Sequence, residues 1–165
     1  MIGKMTAMGG AKSQLVEEPK QKCSLPSRRQ EAAVSILRTT DYLRRFCSRV
    51  FDQRGITSQQ YNVLRILRGA GPQGLPTLDI AERMIEQTPG ITRLLDRLEA
   101  KKLVRRQRPS SDRRQVLCYI TENGLDLLRK LDAPVKNQAN AALRMLKDSE
   151  IEELIRLLER ARSAR

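Results

Sequence analysis

Residues 88–121, TPGITRLLDRLEAKKLVRRQRPSSDRRQVLCYIT, place the strongest constraint on how this chain can fold. Ile91, Leu94, Leu95 and Leu98 recur at i, i+3, i+4 and i+7, which aligns them on one face of an α-helix. Pro89, Thr92, Arg93, Asp96 and Arg97 fall on the opposite arc. Thr88 suits an N-cap, and Pro89 suits the first helical position, where a missing amide costs nothing. Two β-prone runs follow, KLVRRQ and QVLCYI, on either side of Pro109-Ser110-Ser111-Asp112-Arg113-Arg114. A helical period followed by two strands around a polar turn predicts a helix and then a β-hairpin with a basic tip.

The flanking sequence is helical. Ser27 and Gln30 have capping-box spacing, and Ala33, Ile36, Leu37, Thr40, Leu43, Cys47, Val50 and Phe51 follow at helical intervals up to Gly55. Thr57 and Gln60 repeat the box, with Ile56 and Tyr61 placed to form a hydrophobic staple across it, and Val63, Leu64 and Leu67 continue the core face. GAGPQGLP ends that helix. Thr77 is expected to cap a short third helix with Leu78, Ile80, Ala81 and Met84 facing inward. Beyond the hairpin, Thr121 caps a helix carrying Leu125, Leu127, Leu128 and Leu131 onward to Leu143 and Leu146, which Pro134 should kink or break. Asp148 is expected to cap a last helix whose stripe is Ile151, Leu154, Ile155, Leu157 and Leu158. Residues 1–26 show no sustained period and read as a flexible tail. Two short helices joined by a tight turn, the second amphipathic with a polar outer face, form a helix-turn-helix, and the basic hairpin makes it a winged one. The fold class is mainly α with a small β-hairpin wing: a winged helix-turn-helix plus a helical dimerisation region.

Charge points to the partner. The chain carries +13, and residues 87–120 supply +6 of it, with nine Arg and Lys against three acids. Such a block fits a polyanion. Aromatic content is 3% without tryptophan, too little for base-stacking platforms, so duplex DNA is favoured over single strands. There is no histidine, no glycine-rich phosphate loop and no pair of catalytic carboxylates, which argues against an enzyme and against a metal or other cofactor site. Cys23, Cys47 and Cys118 fit neither a zinc spacing nor a disulfide framework, so a reducing cytoplasm is expected. No apolar run reaches the ~20 residues of a membrane span.

The order of these elements resembles the MarR family of bacterial transcription regulators. The resemblance is carried by ITSQQYNVLRIL, TLDIAERM, TPGITRLLDRLEAKKLVRR and SSDRRQVLCYITENG, and it is closest over residues 57–124. Departures are the long tail, Pro134, and Lys102 where the family usually has glycine. The resemblance implies a homodimer, with residues 27–54 and 122–165 forming dimerisation helices and 55–121 the DNA-binding lobe. The long apolar helix faces, which a small lobe cannot cover, independently favour a partner subunit. The family's architecture puts the recognition helix in a major groove and the wing in a minor groove. On this chain that implies DNA contacts from Thr88, Pro89, Thr92, Arg93, Arg97, Arg113 and Arg114. Asp96 would orient an arginine. Asp112 would brace the wing, with Arg113 or Arg114 entering the groove. The implied function is a sequence-specific repressor on a pseudo-palindromic operator, released by a small aromatic or phenolic effector. Tyr42, Arg45 and Tyr61 are conceivable liners of an effector site, with ordinary packing or surface roles the simpler reading. The rival trigger is thiol oxidation at Cys23, beside Lys20 and Lys22. A non-specific architectural DNA binder is the other alternative.

Overall fold

The computed structural model describes residues 27–86, 90–108 and 115–163. Along the chain run α1 (Arg28–Asp52), α2 (Ser58–Ala70), a 3-10 turn (Gly71–Gln73), β1 (Leu75–Pro76), α3 (Thr77–Arg83), α4 (Ile91–Ala100), β2 (Val104–Gln107), β3 (Leu117–Ile120), α5 (Glu122–Ala142) and α6 (Asp148–Arg162). The fold is mainly helical with one small antiparallel sheet, as the residue pattern predicts. No described helix is long and apolar enough to cross a membrane.

The chain divides into two compact units, Met1–Tyr42 and Leu43–Arg165. In the first, the start of α1 is capped by Ser27, whose Oγ accepts the Gln30 amide at 3.2 Å. Ile36 and Leu37 are 42% and 69% exposed.

The second unit holds the hydrophobic core. Thr57 Oγ1 accepts the Gln60 amide at 3.2 Å, and Gln60 Oε1 accepts the Thr57 amide at 3.1 Å, so the predicted box at the start of α2 is complete. This arrangement lets Gln60 be buried without an unsatisfied polar atom. Ile56 and Tyr61, on either side of the box, join the core. Val63, Leu64 and Leu67 of α2 are fully buried with Ile80, Leu95, Leu98 and Cys118. The sheet order is β1-β3-β2. Leu75 pairs with Cys118, and Val104 pairs with Ile120. The third strand, β1, was not among the expected elements. Two residues are too short to show a period of two.

Several local expectations change. Thr77 is the first residue of α3 and makes no cap bond; Pro76 takes the cap position. The Thr77 hydroxyl and amide instead meet the Val116 carbonyl, tying α3 to the residue before β3. Leu78 faces solvent at 76% exposure, because only Ile80 of this seven-residue helix is buried. Pro134 lies inside α5, which continues to Ala142 without a break. Proline forfeits one amide bond, to the Lys130 carbonyl, on a part of the helix where Lys130 is exposed and water can replace the donor. α5 stops before Leu143, and Leu146 lies in the following turn. The cap of α6 is Lys147, not Asp148. Its amide donates to the Glu150 carboxylate at 2.8 Å, and an ammonium side chain has no lone pair with which to return the bond.

Candidate nucleic-acid interface

The cap of α4 is Gly90, where Thr88 was expected. Gly90 takes a left-handed backbone, φ 97°, and its carbonyl accepts the Leu94 amide at 3.2 Å. Glycine enters that region without steric cost, and the cap falls two residues later than expected. Thr88 and Pro89 themselves lie outside the described residues.

The two faces of α4 separate as the periodicity requires. Leu94, Leu95 and Leu98 are buried, whereas Thr92, Arg93, Asp96 and Arg97 are exposed. Neither Arg93 nor Arg97 is paired with a carboxylate among the described residues. Two cations and a hydroxyl on one open face can donate hydrogen bonds to phosphates and to base edges.

At its far end α4 closes in a Schellman turn. The Lys102 amide donates to the Glu99 carbonyl at 2.8 Å and the Leu103 amide to the Leu98 carbonyl at 3.0 Å. Lys102 sits at φ 57°, the one non-glycine with positive φ among the described residues. The geometry is therefore the one glycine usually provides, held here by a lysine. Lys101 Nζ bonds the Gly55 carbonyl, which pins this end to the α1–α2 loop. Beside it an open groove of about 500 Å³ is lined by Arg97, Lys101, Asp52 and Thr57, among others.

Strand alternation sends the neighbouring arginines of β2 in different directions. Arg105 is exposed, with its guanidinium 4.1 Å from the centre of the Tyr119 ring opposite. Arg106 turns to α4. Its Nε donates to Glu99 Oε2 at 2.8 Å, its Nη2 reaches Glu99 Oε2 and Asp96 Oδ1 at 2.5 Å each, and its amide donates to Glu99 Oε1 at 3.1 Å. The hydrogen bonds that Arg106 donates to Glu99, ahead of the one to Asp96, hold the guanidinium pKa above its usual value. Asp96 is thus the partner of an arginine, as expected. Arg106 and Glu99 were not singled out from sequence. The available signal was that two of the three acids in residues 87–120 lie three apart on the recognition helix.

Asp112, Arg113 and Arg114 lie outside the described residues, as does Cys23. Cys118 is buried and Cys47 partly so, and burial raises both thiol pKa values. Both therefore have the surroundings of core residues. Tyr61 packs on Phe51, ring centres 4.7 Å apart, and burial raises its phenol pKa. That is core packing. Tyr42 and Arg45 are exposed positions on α1.

A helix-turn-helix with an adjoining β-wing and a basic outer face on its second helix defines the class: a winged-helix DNA-binding protein. The MarR family profile matches residues 56–116. A MarR transcription factor from Planctomyces limnophilus, known from its crystal structure, is 41% identical; the match covers 82% of this chain and 98% of that one, with a TM-score of 0.65. The HTH-type transcriptional regulator FarR of Neisseria gonorrhoeae is 29% identical over 119 residues, 71% of this chain and 80% of FarR. The S. aureus MepR–DNA complex shares the fold at 22% identity and a TM-score of 0.73, covering 81% of this chain and 97% of that one. The chain belongs to the MarR family, and it is a DNA-binding transcriptional regulator.

Proposed function

We propose that this protein is a homodimeric repressor that reads a pseudo-palindromic operator, with α4 of each subunit in a major groove and each wing over a neighbouring minor groove. The observation that carries the reading is the exposed face of α4, where Thr92, Arg93 and Arg97 stand opposite buried leucines with no described carboxylate partner for either arginine. Arg93 and Arg97 supply phosphate and guanine contacts. Arg113 and Arg114, with Asp112 bracing them, serve the wing, and Thr88 and Pro89 lie at the approach to the groove. Dimerisation is supported by apolar side chains that the subunit itself leaves open. Met145, Ile155 and Leu157 are 85%, 52% and 47% exposed, and no residue of α6 is buried. Such surface is normally covered by a partner.

Footprinting on DNA upstream of the protein's own gene, with light scattering on the free protein, tests the reading. The expected result is a dimer protecting two half-sites about 34–36 Å apart, one turn of the duplex. Arg97→Gln should weaken operator binding and make the salt slope shallower by about 0.9 for each phosphate the side chain no longer neutralises. A monomer, or equal affinity for operator and random duplex, refutes it; the second result would leave a non-specific architectural binder.

A further inference from the structure

Arg106 is the best-connected of the described cations of the basic block, and its hydrogen bonds face the protein. Glu99 uses both carboxylate oxygens on it, one for the backbone amide and one for Nε and Nη2, while Asp96 takes Nη2 as well. The Arg106 side chain is 25% exposed, against 38% for Glu99 and 51% for Asp96. A carboxylate that holds the amide and guanidinium of the same strand residue fixes that strand in position and in rotation. Arg106 also pairs in register with Cys118, which is fully buried, so the clamp acts on a strand already anchored in the core.

We propose that Arg106 is a positioning residue: with Glu99 and Asp96 it locks the wing strand to the recognition helix, so that both meet DNA as one rigid unit. This rests on the operator-reading function above. The clamp has a second effect. Asp96 lies on the same arc as Arg93 and Arg97, where an uncompensated carboxylate would repel phosphate, and Arg106 neutralises it from the protein side. Arg106 therefore aids DNA binding without touching DNA.

The test measures affinity for operator and for random duplex over a range of salt, in wild type, Glu99→Gln and the charge-balanced pair Glu99→Gln/Arg106→Gln. Removing an acid beside DNA should, by charge alone, tighten binding to every sequence. The clamp predicts that Glu99→Gln leaves random-duplex affinity equal or higher while the operator-to-random ratio falls about tenfold, comparable to one mismatched base pair. The double variant should lose the same ratio with an unchanged salt slope. Retention of the ratio by both variants overturns the proposal. So does a double-variant slope shallower by about 0.9, the mark of a phosphate that Arg106 itself had neutralised. A wild-type protein that does not prefer its operator would remove the function above and this inference together; a wild type that discriminates beside variants that do so equally well removes the inference only.

Discussion

Lys102→Gly should stabilise the protein. Lys102 holds φ 57° because the turn leaving α4 needs a left-handed residue to bring the Leu103 amide back to the Leu98 carbonyl. A side chain there crowds its own backbone at a cost of about 1–2 kcal/mol, which glycine avoids. Glycine returns about 0.5–1 kcal/mol of that through the greater freedom of the unfolded chain. The net gain centres on about 0.75 kcal/mol, the ends of the two ranges giving about 0–1.5, or roughly 2–3 °C in Tm at the centre for a chain of this size. Lys102 is exposed and has no carboxylate partner among the described residues, so Lys102→Ala removes the side chain without relieving the backbone and serves as control. Lys102→Asn should fall between Ala and Gly, and Lys102→Val should lie below Ala, since β-branched residues tolerate this region least. The series is read by urea and thermal unfolding at one fixed protein concentration, because an associating protein's Tm depends on it. If Lys102→Gly proves no more stable than Lys102→Ala, backbone strain at this turn is not what the substitution removes, and the reasoning fails.

Gly124→Ala should destabilise, although Ala is the better helix former by about 1 kcal/mol. A Cβ there would strike the Leu103 carbonyl and lie 2.7 Å from Ile120 Cγ1, so overpacking should outweigh propensity and leave a net loss of about 1–3 kcal/mol; a rise in the urea midpoint would contradict this. Cys118 should resist an aromatic disulfide reagent until the protein unfolds, since it is fully buried and burial raises its pKa. Labelling of Cys118 at the rate of a free thiol in the native protein would refute that.

What could be read from sequence depended on how local the determining physics was. The Thr57 box and the Thr121 cap need only residues three apart, and both form as predicted. The leucine stripe of α4 likewise follows from its own spacing. The cap of α4 is Gly90 where Thr88 was expected, because a good capping side chain does not reveal where the backbone will turn left-handed. Leu78 was misplaced for a different reason. A seven-residue helix spans two turns, too short for its apolar pattern to show which face is buried. The Arg106 clamp joins a helix to a strand across seven positions, and no periodicity encodes such a pairing.

The placement of cations also alters what net charge means here. Residues 87–120 hold nine Arg and Lys, which taken alone suggest nine groups ready for phosphate. Arg106 is bound by two acids, and Lys101 is bonded to the Gly55 carbonyl. Arg105 lies over Tyr119, and Lys102 holds the end of α4. Of the described cations in the block, Arg93, Arg97, Arg108 and the ammonium of Lys102 remain exposed without such a partner. Electrostatic attraction draws on the whole block, because charges add over distances near the Debye length of about 8–10 Å. Counterion release counts only the cations that displace ions from phosphate. On the proposed reading the block attracts DNA as a group, while Lys101, Arg105 and Arg106, held by the protein, count little toward counterion release.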